Sequence, residues 1–441
     1  MFSTLLRRIG LLPGLVLFLL GLGAAHPAQA SHLLGGEMTY KYLNANGPAG
    51  NTLRYEVTLI VYNTCVAANN GLIRSSYPVG IYMQDSGAKL NLTTANNSSA
   101  SGGNMYVQEV SSRVCTTPNV PQGCAIPAVQ QPYIKQTFVG IVNLPNTEVG
   151  YYAAWTWGAR NRNIVNIGGA NSEQYDLGLY CTLAPPTLPN SSPQFVRDAV
   201  ANICQGDTSY ILNNAVDPDG DELVYTFGNP YTSPAGYSNQ PPPSPFIAPL
   251  PLIPFTNAGY NVLNPLGVPA TFPGTYASVD PQTGICKYKS TAALATLYVV
   301  AVDVQEYRRI NNRRVLIGTT RRDLQLIVVE CPPATAPGLP TSTGGGSIPR
   351  NYTIEAGSTL TIPLTASQVD GHPLVMTATS VLLDGPGGYD GTLGGNAGTL
   401  IAGTTSGAVS INGPNGNVSG NFVFNSACAN ARATPYDIVL T

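Results

Sequence analysis

The sequence predicts an all-β protein built from tandem β-sandwich domains, and three observations support this. Glycine and proline are abundant, with 47 and 37 residues among 441, so turns divide the chain into short segments. Residues 53–62 alternate apolar and polar side chains, which is the pattern of a half-buried strand. No segment keeps a helical apolar period, whereas 294–304 and 323–329 are β-branched apolar runs that suit buried sandwich strands.

The predicted strands fall into three units. The first spans 31–197 and has further strand patterns at 77–83, 133–142 and 149–157. The second spans 198–331, and a Pro/Gly-rich linker at 332–347 leads to the third unit at 348–441. Because the sequence ends within a strand pattern with no turn after it, we expect this third sandwich to be truncated.

The second and third units share a sequence pattern. The second contains VDPDGDELVYTF and the third contains VDGHPLVMTAT. Their Asp-Gly pairs lie about 150 residues apart, and tandem units of this length suggest stacked β-sandwiches.

Residues 1–30 have the parts of a secretory signal peptide. Arg7 and Arg8 precede an apolar segment at 9–25, and Ala28-Gln29-Ala30 is a small-residue cleavage site. We therefore expect a mature chain that is secreted or held at the outer cell surface. No later segment reaches ~18 consecutive apolar residues, so no transmembrane segment is expected after cleavage.

Charge and histidine content exclude several classes of function. Lys+Arg number 21 and Asp+Glu 23, and charged residues are 10% of the chain, so a nucleic-acid partner is not expected. After cleavage only His32 and His372 remain, and no G-x-S-x-G or H-E-x-x-H motif occurs. Glycoside hydrolysis needs only two carboxylates, so a polysaccharide-active enzyme stays open, but the prediction is a protein without catalytic residues.

The eight cysteines all follow residue 30, and an even count in a secreted chain predicts disulfides. Cys115 and Cys124 flank a turn-rich loop and are the best local pair. Cys204 and Cys331 open and close the second unit, so a disulfide there would close a long loop. No C-x-x-C motif occurs, which argues against a zinc site.

A cluster of carboxylates begins the second unit's shared motif, and calcium prefers several oxygen ligands of this kind. Asp303 and Glu306, near the end of a later strand, could add ligands. The alternative is a solvated turn, in which Asp and Gly are favoured for backbone reasons. The predicted calcium ligands are Asp217, Asp219, Asp221, Glu222 and Asp303; no other cofactor is expected.

Aromatic side chains cluster in the strand pattern at 149–157. Trp155 and Trp157, beside Tyr151 and Tyr152, could stack on sugar rings as in a carbohydrate-binding module. The alternative is that they fill the sandwich core, which is their commoner role.

Six arginines lie close together in the second unit. They could form a stripe for anionic glycans or lipopolysaccharide, or a charged hairpin that protects a sheet edge. They are Arg308, Arg309, Arg313, Arg314, Arg321 and Arg322.

The start of the mature sequence combines a short motif with a Tyr-rich strand pattern that ends in a cysteine; the residues concerned are His32, Gly35, Gly36, Glu37, Tyr40 and Cys65. This start resembles large surface proteins of Bacteroidota, of the gliding motility-associated C-terminal-domain type. The resemblance covers most of 31–331, and it extends to the segments NICQGD and DPDGDELVYTF. It implies export, a place on the cell surface, β-sandwich repeats and usually a C-terminal sorting domain. The expected function is therefore structural or adhesive, in attachment or gliding, with glycans or other surface proteins as partners; the alternative is a carbohydrate-binding protein that acts on extracellular glycans. The third unit resembles generic cadherin-like or immunoglobulin-like repeats.

Overall fold

The computed structural model describes residues 32–65, 73–95, 97–117, 130–169, 171–183, 189–331, 335, 337–343 and 345–441. In this part of the chain the protein is all-β, as predicted, and its helical segments are single 3-10 turns at Ser172–Gln174, Val381–Leu383 and Cys428–Asn430. Among these residues no helix is long and apolar enough to cross a membrane. The predicted signal peptide and Cys124 lie outside the described residues.

Nine strands lie between residues 33 and 183, within the first predicted unit. In β2 the odd-numbered residues from Leu53 to Val61 are all buried, while Arg54, Glu56 and Ile60 are half-exposed, which confirms the strand predicted from alternation. The strands are β1 (Leu33–Asn44), β2 (Leu53–Thr64), β3 (Ser76–Met83), β4 (Ala100–Ser101), β5 (Asn104–Glu109), β6 (Cys115–Thr116), β7 (Tyr133–Leu144), β8 (Tyr151–Trp157) and β9 (Leu177–Leu183).

Nine more strands lie between residues 194 and 329. The first of them, β10 (Gln194–Phe195), is at the end of the first predicted unit, and the other eight lie in the second, whose two long strands form a hairpin. Both apolar runs predicted to be buried strands lie in this hairpin. The strands are β10 (Gln194–Phe195), β11 (Val200–Cys204), β12 (Thr208–Leu212), β13 (Ala215–Val216), β14 (Glu222–Gly228), β15 (Tyr276–Val279), β16 (Ile285–Lys289), β17 (Leu297–Ile310) and β18 (Arg313–Val329).

The first two predicted units share one 13-stranded sheet, with the main order β14-β17-β18-β1-β2-β7-β5-β3-β8-β9. β1 joins them, because it pairs with β2 on one side and with β18 on the other. The contact with β18 is close: a Cβ at Gly35 would lie 2.3 Å from the carbonyl oxygen of Asp323. Residue 197 is therefore not a boundary between separate sheets.

The third predicted unit is a sandwich of two sheets, ordered β19-β20-β26-β22-β23 and β24-β25-β21-β27. Leu364, Met376 and Phe422 pack in the core between them. β19 lies inside the segment predicted as a linker and pairs with β20. The strands are β19 (Thr341–Ser342), β20 (Thr359–Ser367), β21 (Leu374–Ser380), β22 (Thr392–Leu393), β23 (Asn396–Ala397), β24 (Thr399–Leu400), β25 (Gly407–Gly413), β26 (Asn417–Asn425) and β27 (Val439–Leu440).

The structure contains the disulfide Cys204–Cys331, as predicted, and it joins residues 127 positions apart. The predicted pair of Cys115 with Cys124 is wrong, because Cys115 is bonded to Cys65. The reason is strand register. Thr64 of β2 and Thr116 of β6 both pair with Tyr133 of β7, so the two neighbouring cysteines meet at one end of β7.

Candidate functional site

Three aspartates of the predicted calcium motif meet in the loop between β13 and β14. The Oδ1 atom of Asp217 accepts hydrogen bonds from the backbone N–H groups of Asp219 at 2.9 Å and Asp221 at 3.0 Å. Gly220 makes the tight turn with φ +79°. As a result, one carboxylate oxygen from each aspartate lies within 4.8 Å of the other two. The motif thus folds locally into a carboxylate cluster.

Glu306 of β17 is buried beside this cluster, whereas Asp303 is not part of it. Side chains three positions apart on a strand face opposite sides of the sheet. Glu306 therefore faces the interior, where its Oε1 accepts a hydrogen bond from Asn190 at 2.6 Å. Asp303 faces the other side and forms two hydrogen bonds with Arg321, each 2.6 Å long.

Glu222 also lies outside the cluster, which corrects its prediction as a ligand. Its side chain is 53% exposed and forms an ion pair with Arg314 at 3.0 Å. Glu222 is the first residue of β14, so strand pairing with Tyr307 directs it away from the loop. Of the five predicted ligands, the structure brings together Asp217, Asp219 and Asp221.

The third unit supplies a further carboxylate, Asp437, which sequence reasoning missed. Asp437 accepts a hydrogen bond from the backbone of Asp217. Nearby, Arg432 donates to the carbonyl oxygen of Pro218 at 2.8 Å. No local motif surrounds Asp437 in the sequence, so no signal there indicated that it joins the cluster.

Burial and mutual repulsion disfavour the charged forms of these carboxyl groups. Burial, reinforced by Asp221, Asp219 and Asp437, raises the pKa of Asp217 to about 8. Burial, with the charge of Asp217 next in importance, raises the pKa of Glu306 well above its usual value. Burial also raises the pKa of Asp437 to about 6. The cluster therefore favours binding of protons or of a cation.

Two guanidinium groups partly balance the cluster. Arg308 contacts Asp221 at 2.8 Å and 2.5 Å and also donates to Asn190. Burial raises the pKa of Asp219, as it does that of Asp437, and the charge of Arg432 opposes this rise at both carboxyl groups. When all are ionised, the carboxylates carry five negative charges, and the two guanidinium groups balance two of them, so three remain. The five carboxylates are those of Asp217, Asp219, Asp221, Glu306 and Asp437.

Two buried carboxylate oxygens of the cluster lack a hydrogen-bond partner among the described residues. They are Oδ2 of Asp217, whose residue is 0% exposed, and Oε2 of Glu306, whose residue is 1% exposed. Buried polar atoms are normally paired, so each such oxygen calls for a proton or a cation. An oxygen-only donor set with excess negative charge fits calcium.

The predicted glycan-binding tryptophans do not form an exposed surface. Trp155 is 0% exposed and packs edge-on against Tyr77 at 5.3 Å. Trp157 is half-buried, and its ring is covered by Tyr77 at 5.0 Å and by the guanidinium of Arg74 at 4.8 Å. Both rings lie on the core side of β8, because alternate residues of a strand share a face. They therefore serve the core and offer no platform for a sugar.

Four of the six clustered arginines are neutralised by ion pairs, so they do not form a free basic stripe. Arg309 and Arg313 are exposed at the end of the β17–β18 hairpin. This arrangement matches the charged hairpin that was the alternative interpretation. The ion pairs are Arg308–Asp221, Arg314–Glu222, Arg321–Asp303 and Arg322–Glu37.

No family model matches the chain, and no curated protein is significantly similar to it. Among solved structures, the chain is similar to the I-band fragment I67-I69 from titin, with 7% identity, a TM-score of 0.15, and coverage of 92% of this chain and 96% of that one. It is also similar to a protein from Corynebacterium diphtheriae described as membrane anchored, with 7% identity, a TM-score of 0.14, and coverage of 93% and 92%. Likenesses at this level carry no argument about function.

Proposed function

We propose that this chain is a secreted protein of the outer cell surface with a structural or adhesive function, in which calcium holds the third sandwich against the preceding sheet. The observation that carries the proposal is the aspartate cluster of the β13–β14 loop, with Asp437 of the third unit beside it and hydrogen-bonded to the backbone of Asp217. The resemblance to Bacteroidota gliding-motility surface proteins supports the location, as do two disulfides, which persist in oxidising compartments.

The calcium ligands would come from three separate segments of the chain. Asp217 and Asp219 would contribute from the β13–β14 loop, Glu306 from β17 and Asp437 from the third unit. Asp221 is already held by Arg308. Bound calcium would supply two positive charges against the three excess negative ones.

The junction otherwise depends on a few polar contacts. Arg432 binds Pro218, Arg197 donates to the Thr441 hydroxyl at 2.7 Å, and Arg350 donates to Gln282 at 2.7 Å. The contacts made by Arg197 and Arg350 are exposed, and exposed contacts of this kind stabilise little. Repulsion between Asp437 and the aspartates of the loop opposes docking when the carboxylates are ionised, so calcium binding is expected to strengthen docking of the third sandwich.

The calcium proposal is tested with a double variant, Asp219→Asn with Asp437→Asn. Calcium is expected to raise the melting temperature of the wild type and to reduce its radius of gyration in X-ray scattering. The double variant should show neither response to calcium. In chelator its melting temperature should be no lower than that of the wild type, because the substitutions also remove repulsion between the carboxylates. The control is Asp370→Asn, which removes an exposed carboxylate of the third unit. An unchanged wild type at millimolar calcium would reject the calcium site.

The location and adhesive role need a test in the source cells. An antibody against the folded chain should label intact cells, and deletion of the coding sequence should reduce attachment or gliding. Absence of surface labelling would reject the proposed location, whatever the result with calcium.

A further inference from the structure

A cleft of about 380 Å³ opens in the second unit. One wall is the loop between β14 and β15, which carries Tyr260 and Phe272. The other is the turn between β16 and β17, which carries Thr291 and Thr296. Small-molecule sites are typically about 300–1,000 Å³ in volume, so the cleft is large enough for a small ligand group.

The aromatic wall is built by the loop's own contacts. The Tyr260 and Phe272 rings lie 4.8 Å apart at 31°. The backbone N–H of Phe272 donates to Val268 at 2.9 Å, and the N–H of Thr275 donates to Phe272 at 3.2 Å. Tyr298 of β17 is buried and its hydroxyl lies 3.1 Å from that of Ser290. Phe272 itself is half-buried, so one part of its ring remains accessible.

The lining contains no charged side chain. A charged group that entered the cleft would lose hydration without meeting a counter-charge, which is costly. A neutral ligand would therefore suit this cleft better than a charged one, which distinguishes the cleft from the arginine-rich hairpin and from the carboxylate cluster.

Three of the four threonine hydroxyls that line the cleft donate their protons to backbone carbonyl oxygens, so they can offer acceptors to a ligand. Thr275 donates its proton to the carbonyl oxygen of Phe272 at 2.7 Å, Thr291 to Pro273 at 3.2 Å and Thr296 to Ala293 at 2.7 Å. Each hydroxyl oxygen keeps lone pairs that can accept. A ligand that suits this wall has hydroxyl donors together with an apolar face for the rings.

We propose that this cleft binds a neutral pyranose residue of an extracellular polysaccharide, with the apolar face of the sugar against Phe272. Sugar hydroxyls supply the donors that the threonine oxygens need, and the sugar's C–H face packs on an aromatic ring. A proline-rich peptide fits less well, because proline lacks an N–H and presents mainly carbonyl acceptors. The cleft contains no residue of the carboxylate cluster, so its test is independent of the test of calcium binding.

The test is isothermal titration calorimetry, in which the full mature chain is titrated with hexamers of glucose, mannose and galactose. Hexamers of galacturonic acid and a proline decapeptide serve as competing classes. We expect at least one neutral hexamer to bind. Phe272→Ala should weaken that binding about tenfold through loss of the ring, and Thr291→Val should weaken it about threefold through loss of an acceptor.

Matched variants separate binding from folding. Tyr210→Ala removes an exposed aromatic ring that does not line the cleft and should bind like the wild type. Phe272→Leu keeps apolar volume beside Tyr260 but removes the ring, so it should weaken binding while the loop stays folded. The proposal is overturned if no neutral hexamer binds at millimolar concentration, if the acidic hexamer or the peptide binds more tightly, or if Tyr210→Ala weakens binding as much as Phe272→Ala.

Discussion

A buried ion pair between Arg160 and Asp323 connects the first two predicted units, and Asp323→Asn tests its importance. The two side chains are 1% and 0% exposed, and they form two hydrogen bonds of 2.8 Å. Arg160 also donates to the carbonyl oxygens of Asp176 and Tyr231, each at 3.1 Å. All the partners of this guanidinium are therefore inside the protein.

The expected loss follows from leaving one charge buried without its partner. Removing one member of a buried ion pair typically costs about 3–5 kcal/mol. Asparagine keeps the volume of Asp323 and one acceptor oxygen, and the bonds from Arg160 to Asp176 and Tyr231 remain. We therefore expect the lower part of that range, about 3 kcal/mol in the free energy of unfolding.

The assay is equilibrium unfolding in urea, followed by tryptophan fluorescence. The chain has two tryptophans, Trp155 and Trp157, and both lie in β8 of the shared sheet. The midpoint should fall while the slope of free energy against urea stays constant, because the same surface is exposed on unfolding.

The matched control is Glu222→Gln, which removes one carboxylate from an ion pair with Arg314. Those side chains are 53% and 40% exposed, so the loss should stay below about 0.5 kcal/mol. If Asp323→Asn destabilises the protein no more than Glu222→Gln does, then this buried ion pair does not hold the two units together and the reasoning is wrong.

Two further predictions concern a disulfide and an acid-sensitive contact. Replacing Cys204 and Cys331 by serine should lower the free energy of unfolding by about 3–5 kcal/mol, because the disulfide closes a long loop; equal urea midpoints with and without the disulfide would contradict this. Burial opposes ionisation of Asp198, but the charge and hydrogen bond of Lys135 and the hydrogen bond of Tyr133 outweigh it and lower the pKa. A lowered carboxyl pKa stabilises the fold above the unfolded-state pKa, and this stabilisation is lost as pH falls through the folded-state pKa. The stability difference between wild type and Asp198→Asn should therefore shrink as pH falls from about 4 to about 2; a difference that stays constant in urea titrations at each pH would show that the contact is not electrostatic.

Structural features that depend on residues close together in the chain could be predicted from the sequence. The alternation in β2 predicted which side chains are buried, because side chains on a strand alternate between faces. The spacing of Asp217, Asp219 and Asp221 predicted a carboxylate cluster, because a five-residue turn brings its own side chains together. Cys204 and Cys331 are far apart in the chain, but they could be paired because they open and close the second unit.

Properties that depend on partners far apart in the chain were decided by the tertiary structure. No strand was predicted over β1, and nothing in its sequence indicates that β18 is a neighbour, because many strands can satisfy the same backbone groups. The same limit explains why Cys115 bonds to Cys65, and why Asp437 joins a cluster more than two hundred residues away. The apolar period of a short segment predicts which face of its strand is buried. Strand order and register determine which distant residues become neighbours, and both are set only when the whole chain folds.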